Sequence, residues 1–89
     1  MQFSDLEFKT HPSGFGVQAK AVFANGYTAS IVQNPFTYGG DEGLFELAII
    51  RDGQLDYTTP ITDDVIGRLS EDEVTEYLGK IEALETPNV

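Results

Sequence analysis

The residues able to do chemistry in this chain are few and widely spaced. Its one histidine, His11, precedes a proline in a turn-like stretch, and its serines are Ser4, Ser13, Ser30 and Ser70. A serine nucleophile needs a base beside it and an acid to orient the base. The base on offer is the distant His11, and Ser70 stands where a helix cap is needed, so hydrolase chemistry is not expected. With no cysteine there is no thiolate nucleophile, no disulfide and no sulfur-ligated metal. The acid clusters Asp63-Asp64 and Glu71-Asp72-Glu73 lack the every-second-residue spacing and central glycine of a calcium loop. Gly14-Phe15-Gly16 and Gly39-Gly40 are not followed by a lysine at a helix start, as a phosphate loop requires. The chain is therefore expected to be no enzyme, with no catalytic residue, cofactor or metal.

Two segments hold residues that folding alone does not demand. The first is the connection Asn34-Pro35-Phe36-Thr37-Tyr38-Gly39-Gly40-Asp41-Glu42-Gly43, long for a link between strands in a small domain. Phe36 and Tyr38, with Asp41 and Glu42 beside them, suit a partner-binding loop. The alternative is that the two rings fold back over an open end of the core. The second segment is an acidic helix bearing Glu71, Asp72 and Glu76, with Asp63 and Asp64 nearby. Such a face imitates the spaced phosphates of nucleic acid, or simply keeps a small protein soluble.

The elements that must position these segments follow from periodicity. Leu6, Phe8 and Thr10 alternate with Glu7 and Lys9, a short N-terminal edge strand. Two further alternating runs flank Ala24-Asn25-Gly26. A three-residue loop pairs Phe23 with Tyr27, Ala21 with Ala29 and Ala19 with Ile31, giving one apolar face, whereas a two-residue loop mixes apolar with polar. The same test on the next hairpin predicts a three-residue loop, Arg51-Asp52-Gly53, pairing Ile49 with Leu55, Leu47 with Tyr57 and Phe45 with Thr59. Gln54, Asp56 and Thr58 then face outward with Glu46, and Pro60 ends the strand.

Thr62 followed by Asp63 and Asp64 reads as a helix start, opening a short helical segment through Arg68 that Gly67 limits. Ser70-Glu71-Asp72-Glu73 is a capping box, and the helix it opens runs to about Leu84 with Val74, Tyr77, Leu78, Ile81 and Leu84 along one stripe. The expected fold is α+β: an antiparallel sheet of four to five strands, two hairpins plus the N-terminal edge strand, packed by a C-terminal amphipathic helix. Residues 1–85 form one domain, with 86–89 a frayed tail.

Composition bounds the setting. Six phenylalanines and four tyrosines among 89 residues suffice for a packed core. Five basic residues against fifteen acidic ones give a net charge of −10, so direct binding to nucleic acid or anionic membrane is not expected. The imbalance lies wholly beyond residue 40, where thirteen acids face only Arg51, Arg68 and Lys80. No apolar run is long enough to span a membrane, and the start MQFSDLEFKT lacks the pattern of an export signal, so a cytoplasmic location is expected.

The run from Tyr38 to Leu84 resembles small uncharacterised acidic proteins of tailed bacteriophages, in the order YGG, GLFELAI, DGQLDY and TPITDDVIGRLS followed by an acidic helix. In size and acidity the chain is also similar in type to phage-encoded inhibitors such as anti-CRISPR proteins. The resemblance implies action inside a bacterial host cell and supplies no site residues. The expected function is a non-enzymatic accessory protein that binds and inhibits or redirects a host protein or complex, as an acidic nucleic-acid mimic or through the aromatic loop. The alternative is a virion or assembly component, such as a homodimer, that self-associates through a sheet edge.

Overall fold

The computed structural model describes residues 1–37, 39–56, 58–61 and 65–85. Tyr38, Asp63 and Asp64, the expected cap Thr62, Tyr57 and the tail 86–89 lie outside the described residues. The strands are β1 (Lys9–Thr10), β2 (Val17–Val22), β3 (Tyr27–Gln33), β4 (Phe45–Arg51), β5 (Gln54–Leu55) and β6 (Ile66–Leu69), followed by helix α1 (Glu71–Glu82). They form an antiparallel sheet in the order β1-β2-β3-β4, with β5 and β6 sharing the far edge of β4. The sheet is open, not a barrel, and the α+β class read from the sequence is the one observed.

The first hairpin follows the expected register, with Ala19 opposite Ile31 and Ala21 opposite Ala29. Gly26 takes a positive φ of 95° to close the three-residue loop. This register puts Ala21, Phe23, Tyr27, Ala29, Ile31, Leu47 and Ile49 on one face, all of them buried. Helix α1 lies across β3 and β4 on that face and contributes Val74, Leu78 and Ile81, each fully buried. Its capping box is formed as expected: Ser70 Oγ accepts from Glu73 N at 3.2 Å, and Ser70 N donates to Glu73 Oε1 at 3.1 Å. Gly79 points into open space and Lys80 pairs with Glu76 at 3.6 Å. The helix ends at Glu82, one turn's fraction short of Leu84.

The second hairpin departs from expectation. Its loop has two residues, because Arg51 pairs with Gln54 and Ile50 with Leu55. Asp52 (φ 54°) and Gly53 (φ 78°) are both left-handed, the pair of conformations that matches the twist of flanking strands. Matching of faces misleads here because the true register is shifted by one: Asp56 N donates to the Ile49 carbonyl at 2.8 Å, where Leu55 was expected opposite Ile49, and among the described residues the paired strand spans only Gln54–Leu55. Beyond it, Asp56 turns its carboxylate back on its own chain and accepts from Thr58 N at 2.8 Å and Thr58 Oγ1 at 2.5 Å. Asp56 is consequently buried, not outward-facing.

The place meant for the rest of that strand is taken by β6, which pairs Leu69 with Phe45 and Ile66 with Leu47. Ile66, Gly67 and Arg68 are thus strand, where a short helix was expected. Three steps along β6 match two along β4, a bulge absorbed at Arg68 in the left-handed region (φ 57°). Leu69 turns inward as a result and is 3 % exposed.

Candidate functional site

The N-terminal segment is tied to the core by its two rings. Phe3 and Phe8 stack on Phe45 at centroid distances of 5.0 and 5.5 Å, and Phe3 N donates to Thr75 Oγ1 of α1 at 2.9 Å. These two rings pack against the core beside the start of β4. Phe36 instead stands 81 % exposed, so for this residue the fold-back alternative is overturned.

Phe36 is held there by its own loop. Asn34 Oδ1 accepts from Phe36 N at 2.8 Å, and Thr37 Oγ1 bonds both the N–H and the carbonyl of Asn34, at 3.1 and 3.0 Å. Gly40 packs so tightly under this turn that a Cβ would overlap the Asn34 carbonyl. The backbone is therefore held while the ring is left in water.

Its neighbour is Phe15, a residue the sequence reading passed over. Phe15 is 59 % exposed and meets Phe36 edge to face at 6.3 Å. The loop before β2 carries it there: a Cβ on Gly16 would overlap the Gln33 carbonyl, so the two loops are in direct contact. A signal for this existed in the sequence, since the register of the first hairpin sets Val17 opposite Gln33 and brings the preceding residues beside the following ones.

His11 and Ser13 build the same loop, and they are not distant from one another. Ser13 Oγ lies 2.8 Å from His11 Nδ1, which also accepts from Ser13 N at 3.1 Å, and Phe15 N donates to Ser13 Oγ at 3.3 Å. That ring nitrogen is occupied with closing the turn, so the pair shapes the base of Phe15. Among the described residues, no group of three or more histidine, aspartate or glutamate side chains is placed to hold a metal ion.

The acidic candidates divide by location. Asp41 and Glu42 lie in the 3-10 turn Gly40–Glu42, and Glu42 meets Arg68 at 2.6 Å. Both belong to the loop that carries Phe36 and joins β3 to β4, and the Glu42 contact ties it to β6. Glu71 and Asp72 open α1 one cap residue after Leu69, whose partner Phe45 starts β4, so they share this end of the sheet. Both are exposed and make no ion pair among the described residues. Glu76 sits a turn further on and is occupied by Lys80.

The second surface is the sheet face opposite α1. Val22 is 77 % exposed and Leu55 46 %, in a row that includes Thr28 and Ile50 across the strands. Among the described residues no helix covers this face.

Asp56 lies at the opposite end from the aromatic pair. Its Oδ2 approaches Arg51 Nε at 3.4 Å but has no hydrogen-bond partner among the described residues. The Thr58 hydroxyl, then the Thr58 N–H, hold the carboxyl below its ordinary value of 3.8; Arg51 helps, and burial opposes them. A depressed folded-state value contributes stability that is present above the unfolded value and lost as pH falls through the folded one. Urea midpoints of wild type and Asp56→Asn, compared from about pH 6 to about pH 3, should therefore converge at the acid end. A constant gap would remove Asp56 as a source of acid sensitivity.

Comparison of the chain with protein-family models, curated proteins and solved structures finds no match. Among the described residues no helix is long and apolar enough to cross a membrane.

Proposed function

We propose that the chain is a non-enzymatic binding protein that engages a bacterial host protein through the Phe15–Phe36 pair, with the acids of the same end choosing a basic rim on the partner. The observation that carries this is the combination at Phe36 of 81 % exposure with a hydrogen-bonded, tightly packed backbone. Large rings presented with little loop entropy to lose are what dominate protein interfaces. Asp41, Glu71 and Asp72 make no ion pair among the described residues and would favour a positively charged surround. The resemblance of residues 38–84 to phage proteins supports a bacterial cell as the setting, and the likeness in size and acidity to phage-encoded inhibitors supports a role in inhibiting or redirecting its target.

A pull-down from bacterial lysate with wild type, Phe15→Ala/Phe36→Ala and Glu71→Gln/Asp72→Asn tests this reading. Wild type is expected to retain a reproducible protein, the aromatic variant to lose it, and the acidic variant to release it at lower salt. Recovery of the same proteins by wild type and the aromatic variant would end the proposal. Action as a nucleic-acid mimic predicts the reverse ranking, and it is the weaker reading because Glu76 and Glu82 are already paired, with Lys80 and the Met1 ammonium.

Self-association is the second reading, favoured by the open sheet face. The sheet edges serve it poorly: β1 has two residues, and the other edge is broken between β5 and the bulged β6. A pairing of Val22 and Leu55 faces would put the acidic helices on the outside, furthest apart.

A further inference from the structure

The turn of the first hairpin is bound to the end of the helix by one side chain. Asn25 Nδ2 donates to the carbonyls of Ile81 and Leu84 at 2.9 and 3.0 Å and lies 3.4 Å from that of Glu82. The last carbonyls of a helix lack the N–H partner that the next turn would supply, and here a distant loop brings one donor group to two of them, Ile81 and Glu82, and to Leu84 just past the helix end. The other end of the same amide, Oδ1, accepts from Tyr27 N at 3.1 Å.

Asn25 is followed by Gly26, the sequence in which an asparagine amide is most open to attack by its own backbone. The glycine nitrogen adds to the Asn25 side-chain carbon and loses its proton, ammonia leaves, and water opens the resulting ring. Water enters and ammonia departs, with no oxidation or reduction, leaving an aspartate or isoaspartate at position 25. In the folded chain both reacting groups are engaged: Gly26 N donates to Phe23 O at 3.2 Å, and the Asn25 amide is held by the helix.

We propose that Asn25-Gly26 is a deamidation site gated by docking of α1. The reaction proceeds only when the helix end lets go of Asn25, and its product keeps the helix from returning. A carboxylate at position 25 offers no proton to the three carbonyls and sets a negative charge against the negative end of the helix dipole, beside Glu82. Molecules that have opened at this seam are thereby marked and retired irreversibly.

The test follows the mass gain of amide-to-acid conversion at this peptide during incubation at mildly alkaline pH, in buffer and in concentrated urea. The rate is expected to be at least about tenfold higher in urea, as for any reaction that requires local opening. Leu84→Ala, which loosens the helix end, should raise the rate in buffer. Gly79→Ala, at an exposed helical position with open space around it, should lower it about fivefold, the factor separating glycine from alanine in a helix. Neither should matter in urea. Equal rates in buffer and urea, or native rates that ignore both variants, would overturn the gating. An Asn25→Asp variant with the urea midpoint of wild type would overturn the second half, that the product undoes docking.

Discussion

Replacing Phe15 and Phe36 together by alanine is expected to weaken partner binding by about 2 kcal/mol or more, roughly thirtyfold, while leaving the fold intact. Both rings are mostly in water, so their loss removes little buried area and the urea midpoint should move by no more than about 0.5 kcal/mol equivalent. Each single variant should also show that the rings act as a unit, with the two losses not adding, because each ring is the other's wall. The measurement is titration of the captured protein against the three variants by calorimetry. Unchanged affinity would move the interface elsewhere, and a lowered urea midpoint would show that the rings serve the fold.

Leu47→Ala is expected to destabilise the domain by about 3 kcal/mol, and Ile50→Ala by about 1 or less, although the two residues sit in the same strand. Leu47 is fully buried between the sheet and α1, whereas Ile50 lies on the uncovered face. A domain of this size holds only about 5 to 10 kcal/mol in all, so the first loss is a large share. Urea unfolding of both variants checks the contrast. Losses of equal size would mean that the open face is buried in solution, which is the signature of the self-associated form, and sedimentation of the wild type would then show a dimer.

The parts of this fold that were legible from residues are those in which two independent signals coincide. The first hairpin has a turn signal and two runs long enough for their faces to be compared. Helix α1 has both a capping box and a five-residue stripe. Where one signal stood alone, it misled. Asp52-Gly53 favours a two-residue turn, but matching of faces outvoted it by assuming a long partner strand where, among the described residues, β5 spans only Gln54–Leu55. Ile66–Leu69 is too short to display a period, and its pairing with β4 depends on Arg68 adopting a conformation that sequence gives no reason to expect.

The candidate site was half legible for a similar reason. Phe36 drew attention because its loop is long, and the loop is where the exposed ring is found. Phe15 was hidden between glycines, where an aromatic is easily taken for a turn residue. Its meaning comes from a contact between two loops, and such contacts follow from strand register more than from either loop's composition.

Strand β4 has consequences for the order in which the protein can be made. Its inner edge finds β3 early, through local hairpins, but the edge beside Phe45 and Leu47 waits for residues 66–69, and the face waits for α1. A chain emerging from the ribosome therefore passes through an interval in which a paired sheet presents an open strand edge and an uncovered apolar surface to its neighbours. Acids are scarce before residue 40 and crowd into the segments that close this gap, so the stretch that completes the sheet also brings the charge that keeps chains apart.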